Sequence, residues 1–71
     1  MVYTLTNQEK SEIISQHLKA LEYSKYNFQV SLIEENASPA ASEGAVTDIQ
    51  NQIDKTNLKI AALVAELAAL V

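Results

Sequence analysis

The sequence predicts an all-α protein, an antiparallel two-helix hairpin with coiled-coil packing that assembles into an oligomeric bundle. Three observations predict it. Val46, Ile49, Ile53, Thr56, Ile60, Leu63, Leu67 and Leu70 follow an unbroken three-four alternation, the pattern of a coiled-coil seam. The stretch from Thr6 to Asn36 contains neither glycine nor proline. Pro39 and Gly44, the only residues of their kinds, fall together in NASPAASEG (Asn36 to Gly44). Both punctuators in one place argue for two long elements and one joint. The chain of 71 residues is read as one domain, with an extended tail over 1–5, helix 1 over about 7–36, a connector over 37–43 and helix 2 over about 43–71.

Helix 1 has a start signal. Thr6 followed by Glu9 forms a capping box, in which the hydroxyl accepts from the Glu9 amide and the carboxylate reaches back to the Thr6 amide. Ile14, Leu18, Leu21, Phe28 and Leu32 then keep to one helical face. Lys25 interrupts that stripe, and its alkyl stem can still cover apolar surface. The segment YNFQVSLI (Tyr26 to Ile33) also alternates as a half-buried strand would. Helix is the reading taken, because a lone strand needs a partner and only VYTL near the N-terminus could supply one. On a helix, Tyr23, Tyr26, Val30 and Ile33 form a second stripe away from the first. Tyrosines tolerate half-exposure, with the hydroxyl in water. Four apolar residues in phase point further, to a second contact surface.

Helix 2 has two candidate starts, Ser38 before Pro39 and Ser42 before Glu43. In heptad terms Val46, Ile53, Ile60 and Leu67 take position a, and Ile49, Thr56, Leu63 and Leu70 take position d. Thr56 is the polar exception. It either sets register at some cost in stability or stands in for valine with its hydroxyl bonded back to a helix carbonyl. The helices, each about 29 to 33 residues, would run roughly 45 Å at 1.5 Å per residue. A bend near residue 40 brings Leu67 alongside Ile13 and Ile14, and Ile53 alongside Phe28.

The final segment, IAALVAELAALV (Ile60 to Val71), carries one charge, Glu66. Helix 1 can cover its a and d positions only. Val64, Ala68 and Val71, with the other alanines, widen the apolar arc, and a helix apolar nearly all round is normally buried. The expected core therefore comprises Ile14, Leu18, Leu21, Phe28, Leu32, Val46, Ile49, Ile53, Thr56, Ile60, Leu63, Leu67 and Leu70. The candidate partner-binding residues are Tyr23, Tyr26, Val30, Ile33, Val64, Ala68 and Val71.

Composition argues against other classes of function. The formal charge is −4, and all five cations are scattered lysines. A nucleic-acid footprint needs a basic patch and favours arginine, which is absent. No signal peptide is expected from MVYTLTNQEK, and an intracellular setting is the default. Ile60 to Val71 is shorter than the ~20 residues that span a bilayer. No cysteine is present, so neither a disulfide nor a thiolate metal site is available. His17 is the only candidate base near neutral pH, and Glu12 and Glu22 are off the positions that would put them beside it. It reads as a histidine at the edge of the packed stripe, and Glu34-Glu35 as a solvated helix end. With no phosphate loop, nucleophile motif or EF-hand, no enzyme, cofactor, metal or small-molecule substrate is expected.

The stretch LTNQEKSEIISQHLKALEYSKYNFQVSLIEENA (Leu5 to Ala37), and above all LEYSKYNFQVSLIEENA, resembles the N-terminal half of small uncharacterised helical proteins of marine tailed phages, especially those infecting cyanobacteria. The resemblance implies a phage setting, in the virion or the host cytoplasm, and brings no active site with it; without that setting the expectation is cytoplasmic. The expected function is a non-catalytic structural or assembly protein, a virion component acting through helix–helix contacts with itself or a larger protein assembly. The alternative is a small phage-encoded regulatory binder that captures a host protein in a groove.

Overall fold

The computed structural model describes residues 4–40 and 42–70. Within them the chain forms two helices, α1 (Asn7–Ala37) and α2 (Glu43–Ala69), packed on each other as a hairpin. Of the expected tail, Met1 to Tyr3 lie outside the described residues, and Thr4 and Leu5 have no regular structure.

The start of α1 is fixed by its cap. Thr6 is extended, its Oγ1 accepts from the Glu9 amide at 3.1 Å, and its own amide donates to Glu9 Oε1 at 3.0 Å. Two of the amides that a helix start leaves without partners are thereby satisfied. Tyr26 to Ile33 lie well inside α1, and no strand occurs among the described residues. The helix stops where proline requires it to stop. Ser38, just before Pro39, is extended at φ −73° and ψ 133°, away from the helical region that a following proline ring disfavours.

Of the two candidate starts for α2, Ser42 is the cap, its Oγ accepting from the Ala45 amide at 3.3 Å. Ser38 instead closes α1, and its hydroxyl accepts from the Ala40 amide at 3.4 Å. Gly44 is not a turn residue. It is the second residue of α2, and no described glycine has a positive φ.

A capping box at Ser42 would need an acidic side chain at Ala45, which has none. Glu35 supplies it from the other helix, its Oε1 accepting from the Ser42 amide at 3.2 Å. The carboxylate is badly placed for the dipole of α1, whose last turn carries no basic residue, and well placed for that of α2. Glu35 is thus half-buried at the bend rather than a freely solvated end.

The two helices are antiparallel. The Glu35–Ser42 bond ties them at the bend, and Asn7 Nδ2 donates to the Leu70 carbonyl at 3.3 Å at the open end. Between these ties, and apart from Glu9 in the cap, the less exposed residues of α1 are Ser11, Ile14, Leu18, Leu21, Lys25, Phe28, Leu32 and Glu35. On α2, apart from Ala45 in the first turn, they are Val46, Ile49, Ile53, Thr56, Ile60, Leu63, Leu67 and Leu70. Both sets step by alternating threes and fours, so each seam stays turned to the other along its length. Lys25 takes its place in the seam with its stem half covered.

The core is thin. Among the described residues only Ile53 and Thr56, each 6 % exposed, are buried, and no side chain is fully enclosed. The molecule measures 59 × 21 × 15 Å, so water reaches both edges of the seam.

Candidate interaction surface

On α1 the outward stripe is a consequence of sequence phase. At 3.6 residues per turn, Tyr23, Tyr26, Val30 and Ile33 point about 150° away from Leu21, Lys25, Phe28 and Leu32. Packing on α2 therefore cannot cover them. Tyr23 is 74 % exposed, Tyr26 58 %, Val30 39 % and Ile33 68 %. Asn27 sits beside them and donates from Nδ2 to the Tyr23 carbonyl at 3.2 Å. That bond folds the amide back onto its own helix, and Tyr23, Tyr26, Asn27 and Val30 line a shallow, open depression.

The second group lies elsewhere. Val64 is 51 % exposed, and Ala61, Ala62, Ala65, Ala68 and Ala69 are exposed around it. These residues belong to the last turns of α2, near the open end, whereas the tyrosine stripe occupies the half of α1 next to the bend. The candidate partner-binding residues thus form two surfaces. Val71 lies outside the described residues.

Two further apolar features have weaker signals in the sequence. Leu58 is exposed on α2, two residues past the seam position Thr56, and a single residue out of phase marks no pattern. Leu5 and Ile13 are exposed at the open end, where with Lys10, Ile14, Glu66 and Leu70 they line a shallow depression. Only the pairing of the two helix ends brings them together.

The buried polar group, Thr56, is satisfied within its own helix, its hydroxyl donating to the Gln52 carbonyl at 2.8 Å. His17 is exposed on α1. No group of three or more histidine, aspartate or glutamate side chains among the described residues is arranged to hold a metal ion. No helix among them is long and apolar enough to cross a membrane. What this geometry presents is exposed apolar helix surface. Compared with protein families, curated proteins and solved structures, the chain matches none.

Proposed function

We propose that this chain is a non-catalytic structural or assembly protein that works through helix–helix contacts, with copies of itself or within a larger protein assembly. One observation carries the reading. Among the described residues the hairpin buries only Ile53 and Thr56, while Tyr23, Tyr26, Val30, Ile33, Leu58 and Val64 stay in water. Small domains bury too little of their surface to be stable by a wide margin, and association is a common remedy. The resemblance of Leu5 to Ala37 to phage proteins supports a virion component as the setting.

Light scattering on the full chain across a hundredfold range of concentration tests this. The expected result is an apparent mass above the monomer and a melting temperature that rises with concentration. A helical monomer with a concentration-independent melt overturns self-assembly. If that monomer recovered one host protein, the tyrosine-lined depression would fit a regulatory binder instead.

A further inference from the structure

Resting on the assembly reading, we infer that the outer face of α1 pairs with the same face of a second copy, in antiparallel orientation about a two-fold axis near Phe28. The occupant follows from the pattern and charge of that face. Lys19, Tyr23, Tyr26, Val30 and Ile33 step by four, three, four and three, so the face is a second seam in its own right. All five residues are exposed.

Register is set by the apolar residues. In antiparallel pairing, Tyr23 falls opposite Ile33 of the second copy and Tyr26 opposite its Val30, and symmetry repeats both pairs. Sliding by one heptad puts Lys19 opposite Val30 and Gln16 opposite Ile33 in one direction. In the other it puts Tyr23 opposite Ala40, beyond the end of α1. Only the first register sets all four apolar residues on apolar partners.

Orientation is set by charge. A parallel pair would also stack the four apolar residues, but it would set Lys19 against Lys19 within the seam. The antiparallel pair sets Lys19 opposite Ala37, the last residue of the second copy's α1, one turn from its Glu34. That helix end carries the negative pole of the dipole, and its last turn has no basic residue. Lys19 of each copy supplies the missing cation to the other. From their exposures, the four apolar side chains offer on the order of 500 Å² per copy, so the pair can bury up to about 1,000 Å², the lower edge of specific interfaces.

The test uses the full chain in sedimentation equilibrium, with helicity followed by circular dichroism. Tyr26→Glu, and Tyr26→Ser as a second variant, are expected to weaken the dimer at least tenfold without loss of helicity, because Tyr26 makes no part of the hairpin core. Orientation is read by mixing Glu22→Cys and Asn36→Cys chains, which is clean because the sequence has no other cysteine. A short bis-maleimide is expected to link the two variants to each other. In a parallel pair these positions would be roughly 21 Å apart, beyond its reach. Absence of that product overturns the antiparallel pairing. A wild-type chain that associates, with Tyr26 variants that associate equally well, overturns the surface and leaves the assembly function standing. A wild-type chain that stays monomeric overturns this pairing and self-assembly with it, and leaves only docking within a larger assembly.

Discussion

Thr56 shows how a polar residue can sit in the most covered part of a thin core. Its hydroxyl bonds to the Gln52 carbonyl one turn back, so it makes no demand on the opposite helix. The Gln52 carbonyl is also the ordinary helical acceptor for the Thr56 amide, so removing the hydroxyl leaves no backbone group without a partner. Valine has the same branched shape and the same stiff first torsion. Thr56→Val is therefore expected to leave stability unchanged or to raise it by up to about 1 kcal/mol, read from the urea midpoint. The assembly state should not change. A loss larger than that, or a new stoichiometry, would mean that the hydroxyl sets register after all. Thr56→Ala should instead cost about 1 kcal/mol, because the lost methyl leaves unfilled space beside Ile53.

At the scale of the elements, the bend is the point where one helix completes the other. Glu35 closes the cap of α2 across seven residues, because Ala45 cannot do so from within. Glu35→Ala leaves the Ser42 amide to water and removes a negative charge from the start of α2. The expected cost is about 1 kcal/mol in urea unfolding, with frayed first turns of α2 seen as faster amide exchange at Glu43 to Val46. Glu35→Gln keeps an acceptor and should recover most of that loss. If Glu35→Ala matched wild type, the bond would be ornamental and Ser42 would suffice alone. This interaction also marks the limit of what the sequence shows. The Thr6–Glu9 box and the seam from Val46 are legible because their partners sit three and four residues apart, at distances that a helix imposes by itself. Glu35 and Ser42 meet only after the chain has turned, so Glu34-Glu35 reads from sequence as a plain solvated end. The start of α2 is ambiguous for a similar reason. Ser38-Pro39 satisfies the local rule for a start, but the same proline must also end α1. The tyrosine stripe is legible as phase alone, whereas the depression at the open end needs Leu5 and Ile13 brought beside Glu66 and Leu70.

For the molecule as a whole, the distribution of cover sets the distribution of stability. Among the described residues only Ile53 and Thr56, in the middle of α2, are buried. The open end is held by the seam and by a side-chain bond from Asn7 to the Leu70 carbonyl. Local opening draws on regions with few buried apolar contacts, so it should begin at the open end and spare the centre. Amide exchange at low concentration is expected to be slowest over 49–60 in α2 and 21–28 in α1, and to speed up toward Asn7 and Ala69. Pairing through the outer face of α1 adds a second asymmetry. A second copy would cover residues 23–33 and leave the open end as it was. Raising the concentration should therefore slow exchange over 19–37 by more than it slows exchange over 7–14. Exchange followed by mass spectrometry at two concentrations measures both gradients at once. Uniform protection along both helices would show that the hairpin opens as a single unit, and a concentration effect confined to the open end would move the contact to the alanine face of α2.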